Sequence, residues 1–294
     1  MSHQEGQLGI APLGFAHYRE LVRRELDSDL GSAGDLTTDA VVPGDLEVKA
    51  QILTRQPGRV CGLDCALFAF DALGVVRWQV EQMDGTDVEA GTVLAELEGP
   101  ARVFLSAERT ALNLLAHLSG IATATRDLVY LVSRVSSARV LCTRKTTPGL
   151  RALEKYAVRV GGALNHRFGL YDAILIKDNH RLIAGGVRAA IARTRAHQSH
   201  VVKLEVEVDN LDELEEALDA GADVVLLDNM AIPDLKQAVD LARGRAVTEA
   251  SGGITPDTIA DVAASGVDFV SVGWMTHSAP ALDVGLDFLV APTS

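Results

Sequence analysis

A chain of 294 residues with 48% hydrophobic and 23% charged side chains can bury a large core, and no apolar run reaches the ~20 residues needed to span a bilayer. A net charge of −13 excludes a general binder of nucleic acid or of anionic membranes, since phosphate surfaces are held by basic ones. Cys61, Cys65 and Cys142 are too few, and odd in number, for a disulfide framework, and residues 1–6 lack the basic and apolar blocks of a signal peptide, so a cytoplasmic protein with reduced thiols is expected.

Residues 14–30 read as an amphipathic helix with Phe15, Tyr18, Val22 and Leu26 on one stripe. Strand-like runs follow at 46–53, 75–80 and 92–98, with a helix at 63–73 and a turn at Asp84-Gly85. A helix is predicted over 104–118, with Ser119-Gly120 as its break. From residue 138 the pattern becomes regular. Strands are predicted at 138–142, 173–177, 202–208, 223–228, 246–250 and 268–273. Between most of them lie helices at 148–160, 187–196, 211–220, 232–242 and 256–265. Pro148 near N1 and Gly161-Gly162 at the end give the first of these its start and stop chemistry. Alternating βα units of this length call for parallel strands joined by crossovers.

The strand ends favour a barrel over an open sheet. The first leads into Arg144 and Lys145, the second ends on Lys177, the third carries Glu205 and Glu207, and the fourth ends on Asp228. The fifth runs into Ser251-Gly252-Gly253, and the sixth ends on Gly273. In an α/β barrel all C-terminal strand ends open at one mouth, where the active site is built. Ser251-Gly252-Gly253, ahead of a helix start at Thr255-Pro256, suits a phosphate.

Charge sharpens that reading. Residues 144–181 hold eight Lys/Arg against three acids, together with His166 and His180, inside an acidic protein. Arg151, Lys155 and Arg159 read as a solvated helix face, whereas Arg144, Lys145 and Lys177 adjoin apolar strands. Arg offers a planar fork to carboxylate or phosphate and Lys a movable point charge, so Arg144, Lys145, His166, Arg167 and Lys177 suit a ligand with several anionic groups. Glu207 and Asp228 either pair with those cations, or hold Mg²⁺ through water, or bind ribose hydroxyls, Mg²⁺ preferring oxygen ligands alongside substrate phosphates. Lys177 could instead form a Schiff base. No GxxxxGK[ST] or GxGxxG pattern is present.

These residues also resemble a family. Thr143-Arg144-Lys145-Thr146-Thr147-Pro148-Gly149-Leu150-Arg151, Glu154-Lys155-Tyr156-Ala157-Val158, Asn165-His166-Arg167 and Leu175-Ile176-Lys177-Asp178-Asn179-His180 closely resemble the quinolinate phosphoribosyltransferases, the carboxylating nicotinate-nucleotide pyrophosphorylases. Gly34-Asp35-Leu36-Thr37-Thr38, Glu108-Arg109, Glu205-Val206-Glu207-Val208, Leu227-Asp228-Asn229-Met230, Ser251-Gly252-Gly253-Ile254 and Thr276-His277-Ser278 match in the same order. The chain departs at Cys142, where Asp is frequent, and at Ala163, where a third Gly is common.

The resemblance implies an N-terminal α/β sandwich (residues 1–118, to which a tail at 278–294 returns) and an incomplete, seven-stranded α/β barrel (119–277). It implies a homodimer, or a multiple of dimers, with shared active sites, and transfer of phosphoribose from phosphoribosyl pyrophosphate to quinolinate with decarboxylation. By position, Arg144, His166, Arg167 and Lys177 would grip the quinolinate carboxylates, with Arg109 reaching in from the partner subunit. Lys145, Glu207 and Asp228 would be catalytic and face phosphoribosyl pyrophosphate and its Mg²⁺, with no direct protein ligand set for the metal. Ser251, Gly252, Gly273 and His277 would line the 5′-phosphate site. A paralogous protein associated with molybdenum transport shares the fold but usually lacks the intact Lys-Asp-Asn-His segment, and a barrel lyase using Lys177 is the other alternative.

Overall fold

The computed structural model describes residues 11–289. In chain order it contains α1 (Arg19–Leu30), α2 (Leu36–Val41), β1 (Glu47–Thr54), β2 (Gly58–Arg59), α3 (Leu63–Asp71), β3 (Arg77–Val80), β4 (Asp87–Val88), β5 (Val93–Pro100) and α4 (Ala101–Ser133). There follow β6 (Arg139–Leu141), α5 (Arg151–Val160), β7 (Ile174–Ile176), α6 (Asp178–Ala184), α7 (Val187–Arg195), β8 (Leu204–Val208) and α8 (Leu211–Asp219). The last elements are β9 (Val224–Asp228), α9 (Ile232–Ala242), β10 (Val247–Ser251), α10 (Ile259–Ala263), β11 (Phe269–Ser271), α11 (Trp274–His277) and β12 (Val284–Phe288). Contacts divide the chain into two units: residues up to Thr125 with Pro148–Gly162 and the segment from Ala279, and Arg126–Thr147 with Ala163–Ser278.

The first unit is built on an antiparallel sheet in the order β12-β1-β5-β3. Along β1, Ala50, Ile52 and Thr54 are buried while the alternate residues are not, the two-residue period of a half-covered strand. The C-terminal β12 pairs with β1 from Ala50–Phe288 to Thr54–Val284.

Helix α4 does not break at Ser119-Gly120 as the sequence predicts; it runs on to Ser133. Both residues serve close approach instead. Ser119 Oγ accepts from the Cys61 amide at 2.9 Å and donates to the Cys61 carbonyl at 3.0 Å. A Cβ on Gly120 would lie 2.2 Å from the Pro280 carbonyl oxygen, so only glycine lets that chain pass.

Helix α5 also differs from expectation. Lys155 is fully buried, as is Glu154, because the helix is covered on more than one side; Arg159 alone of the three basic positions is exposed, and Arg151 is half-buried. Glu154 Oε1 lies 3.0 Å from His117 Nε2, and the Tyr156 hydroxyl donates to Asp84 Oδ2 at 2.9 Å. Cys61, Cys65 and Cys142 are buried and in no disulfide.

The second unit holds a parallel sheet of six strands in the order β6-β11-β10-β9-β8-β7. Leu164 adds a single parallel bridge to Leu141 on the outer side of β6, so the seventh strand of the expected barrel is reduced to one residue. Among the described residues β7 has no sheet partner other than β8, and the barrel is therefore open there. The residues of β8 are all buried, with Leu204, Val206 and Val208 on one face and Glu205 and Glu207 on the other. Carboxylates in so enclosed a strand mark a functional interior.

Candidate active site

Because every strand of this sheet runs the same way, their C-terminal ends share one side, and alternate residues from each face one cavity of about 720 Å³. The lining follows the two-residue period: Leu175 and Lys177, Glu207, Leu226 and Asp228, Glu249 and Ser251, Ser271 and Gly273. The register ties the strands together, pairing Glu207 with Leu226 and Asp228 with Ser251. Arg144, Lys145, His166, Arg167, Gly252 and His277 complete the predicted set, so every site residue named from the sequence lines this cavity except Arg109. Arg109 lies on α4 in the first unit, with its side chain exposed.

One part of the lining is cationic. Burial, and after it the nearby charge of Arg144, pulls the Arg167 guanidinium below its ordinary range. The buried Arg144 Nε has no partner among the described residues. Lys145 is exposed to the cavity, its backbone held by Thr143 Oγ1 (3.0 Å) and by a Thr276 hydroxyl that donates to its carbonyl at 2.8 Å. A Cβ on Gly273 would sit 3.1 Å from Lys145 Cδ, so the bare backbone gives that side chain room.

Another part is anionic. Lys177 Nζ donates to Glu207 Oε2 at 2.6 Å, and the Asp178 amide reaches Glu207 Oε1 at 3.4 Å. The Asp228 carboxyl is pushed up by burial and by the charge of Glu207, and is partly relieved by a hydrogen bond from Asn229. The segment after Lys177 is helical, an element the sequence reading did not contain: α6 begins at Asp178, and His180 Nδ1 accepts from the Lys177 amide at 2.9 Å.

A third cluster lies on the strands. His166 Nε2 donates to Glu205 Oε2 at 2.9 Å, while Nδ1 accepts from the Arg167 amide at 2.7 Å. Both ring nitrogens are thus engaged, and a carboxylate reaching His166 must displace one partner. Glu249, absent from the sequence-derived set, lies 3.7 Å from His166 Nε2. Burial, followed by the charge of Glu205, pushes its carboxyl up to about 7. Its two-residue offset from Ser251 was the available signal, as the offset of Glu205 from Glu207 was.

The glycine turn after β10 differs in one respect from expectation. The helix predicted from Pro256 starts only at Ile259 and spans five residues, too short to present an anion site at its N-terminus. What remains for an anion is the turn itself, with Gly252 and Gly253 at φ of 97° and 61°. Successive backbone N–H groups in such a turn form a concave anion site.

Parallel strands with cations, acids and a glycine turn at their C-terminal ends define an enzyme of the α/β-barrel class that takes a polyanionic substrate. The chain matches the models of the quinolinate phosphoribosyl transferase C-terminal domain over residues 121–287 and N-terminal domain over 35–119. It is 44% identical to the carboxylating nicotinate-nucleotide pyrophosphorylase of Mycobacterium leprae over 92% of this chain and 96% of that one. Against the probable enzyme of the same name from Bacillus subtilis it is 40% identical over 94% and 95% of the two chains. Its fold superposes on the nicotinate-nucleotide pyrophosphorylase structure from Francisella tularensis with a TM-score of 0.90 at 40% identity, covering 96% and 100% of the chains. The chain belongs to the quinolinate phosphoribosyl transferase family. Among the described residues no helix is long and apolar enough to cross a membrane.

Proposed function

We propose that the protein transfers phosphoribose from phosphoribosyl pyrophosphate to the ring nitrogen of quinolinate, releasing pyrophosphate and carbon dioxide and yielding nicotinate mononucleotide for NAD synthesis. The observation that carries this reading is the paired frustration of one cavity: like-charged guanidiniums crowd at Arg144 and Arg167, and like-charged carboxylates at Glu207 and Asp228. A dicarboxylate relieves the first crowding and a metal-bound sugar diphosphate the second.

Arg144, Arg167 and Lys177 hold the two carboxylates of quinolinate, with His166 in the same wall fixing the Arg167 backbone. Arg109 joins them from a partner subunit in a homodimer or a multiple of dimers. Lys145 lies on the side of the departing pyrophosphate, where a mobile ammonium stabilises the charge that develops. Glu207 and Asp228 stabilise positive charge growing on the ribose, and Ser251, Gly252, Gly273 and His277 receive the 5′-phosphate. Oxygen donors at Glu207 and Asp228, mutually repelling, suit Mg²⁺, held through water and substrate oxygens rather than by a dedicated ligand cage. Held there with the substrate, Mg²⁺ would supply charge neutralisation for the leaving pyrophosphate. Once the ring nitrogen is alkylated it is cationic, and it stabilises the electron pair left on ring carbon 2 as carbon dioxide departs.

The Schiff-base alternative is disfavoured by geometry, because Lys177 Nζ would have to leave its contact with Glu207 Oε2 at 2.6 Å to reach a carbonyl carbon. The protein is tested by incubation with quinolinate, phosphoribosyl pyrophosphate and Mg²⁺, with carbon dioxide and nicotinate mononucleotide measured. Product from quinolinate and little from nicotinate is expected. Equal turnover of nicotinate, or none of quinolinate, refutes the reading.

A further inference from the structure

One residue at the mouth of the cavity has a backbone conformation that no other non-glycine residue shares among those described. Asn229, immediately after β9, has φ of +53°. Asn reaches this left-handed region more readily than most residues because its short amide can bond locally. Here it does: Asn229 Nδ2 donates to Asp228 Oδ2 at 2.7 Å. Its backbone amide donates to the Ser251 carbonyl at 2.9 Å, extending the β9–β10 pairing one residue past the paired Asp228 and Ser251.

The glycine turn closes onto the same residue. A Cβ on Gly252 would lie 2.3 Å from Asn229 Oδ1, 2.5 Å from its Cγ and 2.8 Å from its backbone nitrogen. Gly252 itself has φ of +97°, so a side chain there is excluded twice, by backbone conformation and by the Asn229 amide. Asn229 therefore touches both the acid at the end of β9 and the anion turn at the end of β10.

We infer that Asn229 is a positioning residue that sets the relation between the Asp228 carboxylate and the Ser251-Gly252 turn, and so governs the binding and turnover of the phosphoribosyl substrate but not the binding of quinolinate. The inference rests on the phosphoribosyl reading of the cavity given above. With Oδ2 occupied by the Asn229 amide, Asp228 has Oδ1 left for the sugar side. Among the described residues the hydrogen bonds of Asn229 run to Asp228 and Ser251 and none to Arg144, Arg167 or Lys177, which is why the two substrates respond differently.

Two substitutions isolate the amide. Asn229→Asp keeps the shape and the tolerance for positive φ but replaces the donor with a second carboxylate beside Asp228. Asn229→Gly keeps the backbone comfortable and removes the side chain altogether. Calorimetry measures Mg²⁺-phosphoribosyl pyrophosphate and, separately, quinolinate binding to each full-length protein, and steady-state assays give KM for each substrate and kcat. Both variants are expected to weaken phosphoribosyl pyrophosphate about tenfold or more, roughly the loss of one charge-assisted hydrogen bond, and to keep quinolinate affinity within about twofold. Variants matching the wild type in phosphoribosyl pyrophosphate binding and kcat overturn the inference while leaving the enzyme assignment intact. Equal loss of both ligands also overturns it, since that is the signature of general damage to the fold. Wild-type protein that neither binds phosphoribosyl pyrophosphate nor turns over quinolinate ends the functional reading, and this inference with it.

Discussion

Replacing Glu249 by Gln tests whether the barrel interior carries a proton in the wall of the cavity. Glu249 is 3% exposed, faces Glu205, and is only partly relieved by His166 at 3.7 Å. An ordinary glutamate ionises near 4.5, and here the folded protein retains the proton to about 7. Between those values the folded state binds more protons than the unfolded chain, so this group's contribution is greatest below pH 4.5 and is lost as pH rises towards 7. At about 1.4 kcal/mol per pH unit, the interval from 4.5 to about 7 sets a contribution on the order of 3 kcal/mol. Most of it falls between pH 5 and pH 8. Gln is neutral throughout and lacks the slope. Urea unfolding of wild type and Glu249→Gln at pH 5 and pH 8, followed by far-ultraviolet circular dichroism, gives four free energies. The wild type should lose more stability than the variant between the two pH values, on the order of 2 kcal/mol, a difference that includes the response of His166, which the Glu249 charge raises. Parallel pH dependence in the two proteins would refute the assignment of the proton to Glu249.

Three further outcomes follow from the contacts described. Gly120→Ala should destabilise the protein by about 1–3 kcal/mol in the same urea assay, because the new methyl meets the Pro280 carbonyl at 2.2 Å; a gain of about 1 kcal/mol, normal for Gly→Ala inside a helix, would count against that packing. Lys177→Met should raise KM for quinolinate roughly 10–100-fold, the loss of one charge-assisted contact; an unchanged quinolinate KM removes Lys177 from the grip. Inactive Arg109→Ala mixed with inactive Lys145→Ala should recover activity through heterodimers, and no recovery with subunit exchange verified would sink the action of Arg109 across a subunit boundary.

The strand ends were legible because their chemistry is local: Lys177, Asp228 and Ser251 stand at the ends of short strands, and Glu207 one residue before the end of its own, on the face that the two-residue period turns inward. What escaped the sequence depends on approach by distant chain. Ser119-Gly120 has the composition of a helix stop, yet Cys61 bonds the serine and Pro280 crowds the glycine, 58 and 160 positions away in sequence. Lys155 sits at a spacing compatible with solvent, and only its surroundings reveal that it is buried. Leu164 holds the place of a seventh strand with a single bridge, too short to leave a periodic trace. Asn229 stood within a matched motif, but its positive φ and its clasp on Asp228 are conformational facts that composition does not carry.

The pairing of β12 with β1 bears on how the chain is made. The ribosome releases β1 long before β12, and until the final residues emerge β1 has an unpaired edge at Ala50–Thr54. The first unit also requires Pro148–Gly162 and the segment from Ala279, so it cannot complete ahead of the barrel strands during synthesis. The usual order, in which an N-terminal unit folds first and alone, is closed to this protein. A nascent chain stalled before Ala279 should therefore carry an exposed strand edge and recruit holding chaperones, and a gene cut at any single position yields no fragment containing all of the first unit without the second.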